Sequence, residues 1–192
     1  MKPRFSQPGF SKKGHLYIGR SRQRLKSLCL FSILGAVVFV AKMAMAGLPN
    51  IEPVSLSVIL LAQVFGWPAL AAVYVYIACE WLVWGIGLWS FSYLYVWLIL
   101  FAITRAFDWL HSALFWALIG AGFGFCFGAL CALWLLVLQG WSAAFVWWQN
   151  GVFFDLLHGA GNFVVIFLLY KPLYTLLMRL KTAYGIGVHP IQ

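Results

Sequence analysis

Residues 149–172 read QNGVFFDLLHGAGNFVVIFLLYKP. From Gly151 to Tyr170 this stretch is apolar apart from Asp155, His158 and Asn162. About 20 residues at a 1.5 Å rise cover the ~30 Å hydrocarbon core of a bilayer, so it reads as a membrane-crossing helix. The three polar residues stand at i, i+3 and i+7, which puts them on one helical face opposite Phe and Leu. Ionisable groups inside a membrane are costly and turn toward the bundle interior rather than lipid. Two readings of this face stay open: an interhelical hydrogen-bond network that fixes packing, and a ligand or coupling site. A metal site has thinner grounds, because one Asp and one His are a weak ligand set. Pro172 marks the end of the segment or a kink in it.

Five more apolar segments precede it: Leu28 to Gly47, Val54 to Phe65, Ala69 to Trp89, Phe91 to Ala106 and Ser112 to Leu138. The second and fourth are short for a full crossing, and the second follows a break that suits a re-entrant loop. The whole chain has 192 residues, 64% of them hydrophobic and only 9% charged. A soluble domain is nearer half apolar and a quarter charged. That balance excludes an ordinary cytosolic enzyme, a disordered chain and a secreted disulfide scaffold. It predicts an all-α membrane protein, a single six-helix bundle.

Eight of the 13 Lys and Arg residues fall within the first 26 positions, and Lys171, Arg179 and Lys181 lie near the C-terminus. Only Lys42 and Arg105 remain. Cytoplasmic flanks of membrane helices are enriched in Lys and Arg. The pattern therefore predicts six crossings with both termini in the cytoplasm; four crossings fit the charges equally well if both short segments are re-entrant. Residues 1–26 read as a basic, mobile cytoplasmic tail, 27–178 as the membrane body and 179–192 as a cytoplasmic C-terminal tail. The basic tail suits anionic lipid, and nucleic acid is not an expected partner. No signal peptide is expected, since the basic region runs to Lys26 and the apolar stretch beyond it is long enough to span.

The remaining intramembrane polar groups are few. The piece AKMAMAGLPNIEPVSL at 41–56 holds Lys42, Asn50 and Glu52. Pro49 and Pro53 prevent a helix from running through it. Glu80 lies in the third segment, where Lys42 has Glu80 or Asp155 as a possible ion-pair partner. Trp148 and Gln149 belong to a Trp-rich outer loop, 139–150, able to cover a ring-shaped ligand by stacking. Trp67, Trp89, Trp97, Trp109, Trp141 and Trp147 also fall near segment ends, as an interfacial belt would. Gly120, Gly124, Gly128 and Ala132 recur every four residues, a flat stripe for close helix packing. Cys29, Cys79, Cys126 and Cys131 form no C-x-x-C pair and read as small buried hydrophobes. There is no G-x-x-x-x-G-K-[ST] loop and no G-x-S-x-G elbow, so neither nucleotide hydrolysis nor serine hydrolase chemistry is indicated.

The segments LPNIEPVSL at 48–56 and FDLLHGAGNFV at 154–164 resemble the substrate-specific components of energy-coupling factor transporters. The resemblance covers about residues 27–178. It implies a six-helix membrane subunit, itself not an enzyme and without cofactor or metal, in the cell membrane. Such a subunit captures a vitamin or related micronutrient from outside and passes it on through a transmembrane coupling subunit and two ATP-binding cassette ATPases. By motif, Asn50, Glu52, Asp155, His158 and Asn162 become ligand-site candidates, with Glu80, Trp148 and Gln149 beside them. Many members carry Ala-x-x-x-Ala on the first helix for docking the coupling subunit; here the match is Ser32-x-x-x-Ala36. The alternative from another class is an intramembrane enzyme or metal-binding protein using the Asp155/His158/Asn162 face.

Overall fold

The computed structural model describes residues 12–48 and 51–185, and every regular element among them is helical. The seven α-helices are α1 (Lys12–Ala44), α2 (Val54–Phe65), α3 (Leu70–Trp84), α4 (Tyr93–Ala106), α5 (Ala113–Phe125), α6 (Phe127–Gln139) and α7 (Trp141–Tyr184). Single 3-10 turns, Trp67–Ala69 and Leu88–Ser92, lead into α3 and α4. With these turns included, five helical stretches of the described residues are long and apolar enough to cross a membrane: Gln23–Ala44, Trp67–Trp84, Leu88–Ala106, Ala113–Gln139 and Trp141–Tyr184. The chain is a multi-pass helical membrane protein.

The short second segment has a specific place. Its 12 residues span about 18 Å, too little for a bilayer core. They are apolar almost all round, which suits a helix enclosed by others. Val54, Val58, Ile59, Leu61 and Ala62 are buried, and α2 packs on α4 and α7. Pro53 sits at its N-cap, where the missing N–H is harmless. The fourth segment gains length from the turn Leu88–Ser92, which Ser90 and Ser92 close from buried positions by bonds to Gly87 N and Trp89 O.

Five expectations need correction. The first helix begins at Lys12, so much of the basic segment is helical, continuous with the span. The fifth segment is not one helix: it breaks at Cys126 into α5 and α6. The Trp-rich stretch is not a loop, because Gly140, with φ +83°, turns the chain directly from α6 into α7. Residues 141–150 are then the first turns of a 44-residue helix that continues through Pro172. At about 66 Å, α7 is longer than any bilayer core and projects from it. Among the cysteines, Cys29 and Cys126 are exposed on the bundle's outer surface instead of buried, whereas Cys79 and Cys131 are half-buried and Cys131 Sγ accepts the Ser92 hydroxyl at 3.3 Å. Trp97 is also misplaced in an interfacial belt, since it is wholly buried with Trp116 in the core.

The small-residue stripe does what its spacing predicts. A methyl group at Gly124 would stand 2.7 Å from the Gly159 backbone, and one at Gly120 would meet Ile166 Cδ1 at 2.1 Å. These contacts lie where α5 runs along α7. On α1, Gly35 makes the equivalent approach to α3: a methyl there would stand 2.4 Å from Ala72 O. Such proximity maximises dispersion between helices, which lipid cannot drive together by a hydrophobic effect.

Candidate functional site

The C-terminal ends of α1 and α3, the connection before α2, the start of α4 and the α6–α7 pair enclose one cavity of about 550 Å³. That lies within the usual range for small-molecule sites. Its charged lining is Lys42, Glu52, Glu80 and Asp155, with His158 beside them. Trp84, Trp89, Tyr93 and Phe127 supply aromatic surface. Five ionisable residues separated by up to 116 positions of sequence thus meet at one end of the bundle.

Lys42 is held from three sides. Its Nζ is 2.9 Å from Glu80 Oε2 and 3.6 Å from Glu52 Oε2, and 3.4 Å from the Tyr76 hydroxyl. It also lies 5.6 Å from the Tyr93 ring centroid, at cation–π range. Of the two partners the sequence left open for Lys42, Glu80 is the one engaged. Glu52 sits in the connection between helices; burial raises its carboxyl above the ordinary range, against the opposing pull of Lys42. His158 Nε2 stands 3.9 Å from Glu52 Oε1, beyond hydrogen-bond distance.

Asp155 has a structural partner the sequence did not disclose. The break at Cys126 leaves the first N–H groups of α6 without intrahelical acceptors. Asp155 Oδ1 accepts the Gly128 N–H at 2.9 Å, capping α6 from α7. A carboxylate there also faces the positive end of the α6 dipole. Gly128 permits the approach, since a methyl would fall 2.4 Å from Asp155 Oδ2.

The polar face of α7 divides by depth. Asp155 and His158 line the cavity. Asn162, one turn further on, does not: its Nδ2 donates to Ser55 Oγ at 3.0 Å and to Gly120 O at 3.1 Å, tying α7 to α2 and α5. Between these levels Phe127 packs edge-on against His158, with ring centroids 4.8 Å apart, and continues through Trp97 to Phe123 and Tyr93. The face therefore splits, with Asn162 bonding neighbouring helices and Asp155 and His158 turned to the cavity.

Three buried polar atoms on cavity residues have no hydrogen-bond partner among the described residues: Glu80 Oε1, Asp155 Oδ2 and His158 Nε2. Buried polar groups normally find partners. Among the described residues, no three His, Cys, Asp or Glu side chains converge to hold a metal ion. Trp148 and Gln149 are exposed on the first turns of α7 and do not line the cavity. Asn50 lies outside the described residues. Ser32 is exposed and Ala36 half-buried on α1, away from the cavity.

No family model, curated protein or solved structure matches the chain.

Proposed function

We propose that this protein is the substrate-capturing membrane subunit of an energy-coupling factor type uptake transporter, taking a vitamin or related micronutrient from outside the cell. The observation that carries the reading is the cavity itself. Residues from both resembling segments, Leu48, Ile51 and Glu52 from one and Phe154, Asp155 and His158 from the other, line the same space. Three partnerless polar atoms on its lining are suited to a ligand.

In this reading α2, shorter than a bilayer core but enclosed by α4 and α7 instead of lipid, carries the second of six crossings, and both termini are cytoplasmic. The cation distribution supports it: Arg105 Nη1 donates to Ala62 O and Lys181 Nζ to Val64 O, both at the C-terminal end of α2. That end is opposite the connection that bears Glu52, and cytoplasmic ends are the ones enriched in Lys and Arg. The cavity then opens toward the outside, where a captured nutrient arrives. Ser32 and Ala36, with Ser32 exposed, form the small face offered to a coupling subunit. ATP hydrolysis belongs to two partner ATPases.

The test is purification of the tagged chain from its own cells in mild detergent. Co-purification of a membrane subunit and two ATP-binding cassette proteins, with an organic small molecule retained on the chain, is the expected result. A bound metal ion, or turnover by the chain alone, overturns it in favour of an enzyme or metal protein.

A further inference from the structure

The ionisable groups of the cavity do not balance. One ammonium, Lys42, faces three carboxyls, and two of these, Glu80 and Glu52, already hold it at 2.9 and 3.6 Å. The third, Asp155, is paired with no cation in the ion pairs of the described residues. Its Oδ1 is taken by the Gly128 N–H, and its Oδ2 is buried without a hydrogen-bond partner among the described residues. Glu80 Oε1 is equally bare on a side chain that is 1% exposed. Both are acceptors when ionised, so what they lack is a donor.

We propose that the captured molecule is a flat organic cation bearing N–H donors, of amidinium or amino-heterocycle type, with Asp155 as its counter-ion and Glu80 Oε1 as a second acceptor. This rests on the capture reading and names the class of cargo. An anion would add negative charge beside three carboxyls, and the only ammonium of the lining is already engaged by two of them. A neutral ring would meet the hydrogen-bond need but leave the Asp155 charge uncompensated in a poorly solvated place. A bare metal ion lacks a converging ligand set among the described residues. The aromatic surface fits the same answer. Trp89, Tyr93 and Phe127 offer ring faces and edges to a flat ligand, and a delocalised cation is attracted to such faces. Tyr93 already serves Lys42 in that way.

The experiment uses the full chain in lipid nanodiscs and three probes of matched shape: benzamidinium, benzamide and benzoate. Binding is read by saturation-transfer NMR with competition. The expected order is benzamidinium about tenfold tighter than benzamide, with benzoate weakest. Asp155→Asn keeps an oxygen for the Gly128 N–H and removes the charge, so it should abolish the preference for the cation while benzamide binding persists. Glu52→Gln, in the connection and away from the α6 cap, should reduce the same preference and serves if Asp155→Asn does not fold. Benzoate binding as tightly as benzamidinium, or a preference unchanged in both variants, overturns the cation. Equal binding of all three leaves small-molecule capture standing without it. Absence of saturable binding by all three in the folded chain overturns the capture site as well.

Discussion

The Asp155 carboxylate reaches from α7 to the Gly128 N–H of α6 at 2.9 Å and so joins a break in one helix to the cavity lining of another. The contact makes Gly128 a sensitive position. Gly128→Ala would drive a methyl to 2.4 Å from Asp155 Oδ2 and push the carboxylate off its donor. The expected cost is that of a lost helix cap, about 1–2 kcal/mol, with ligand retention lost as well. Gly122→Ala is the matched control, because a methyl there meets nothing within 4 Å. It should be neutral or stabilising by up to about 1 kcal/mol. Thermal unfolding and small-molecule retention of the two purified variants, side by side, check the contrast.

Gly120 and Gly124 share a spacing and a face, but they should not respond alike. At Gly124 the obstacle is backbone: Gly159 N and Cα at 2.7 Å and the His158 carbonyl carbon at 2.8 Å. Gly124→Ala must separate α5 from α7, an overpacking expected to cost about 2–3 kcal/mol. At Gly120 the nearest obstacle is Ile166 Cδ1, the far end of a side chain that can change rotamer. Gly120→Ala should cost less than about 1 kcal/mol. Equal losses in SDS-titration unfolding would show that helix separation does not govern the stripe.

Much of this was legible in the sequence for a physical reason. A charge inside a membrane is so costly that Lys42, Glu80, Asp155 and His158 could be picked out as cavity or pairing residues before any coordinates. Small residues four apart announced the α5–α7 contact. What stayed hidden depended on tertiary context. The break at Cys126 has no proline or charge to mark it, so the Asp155–Gly128 cap had no sequence signature. Trp141 to Asn150 read as a loop because they lie between apolar segments ending at Leu138 and beginning at Gly151, yet no proline follows Gly140 until Pro172. The division of the α7 face, Asp155 and His158 to the cavity and Asn162 to packing, depends on where Ser55 and Gly120 arrive.

Lys42 and Glu80 should be coupled. Glu80 is wholly buried and Lys42 only slightly exposed, so Lys42→Met leaves two carboxyls facing each other without their cation. Removing one partner of a buried pair typically costs about 3–5 kcal/mol, much of it from the stranded charge. Glu80→Gln alone should also destabilise, and Lys42→Met with Glu80→Gln should recover most of the loss. A double-mutant cycle on thermal stability is expected to give a coupling of about 2 kcal/mol. Additive losses would mean that the pair is solvated and contributes little.

Two tryptophans separate the cavity from the helix that rises beside it. Trp89 lines the cavity and packs edge-on against Tyr93, with ring centroids 5.3 Å apart. Trp148 stands exposed on the first turns of α7, touching Phe145. Loss of the Trp89 ring removes a wall against which a ligand can stack, so Trp89→Ala should weaken ligand retention about tenfold. Trp148→Ala and Gln149→Ala should each leave retention within about twofold, because neither side chain reaches the space. The measurement is dissociation of a small molecule co-purified with the chain from nanodisc-embedded variants, by native mass spectrometry. A loss in Trp148→Ala as large as that in Trp89→Ala would mean that the start of α7 bends over the cavity once the ligand is bound, and Gly140 and Gly151, where an added methyl meets nothing, would then be the places where it bends.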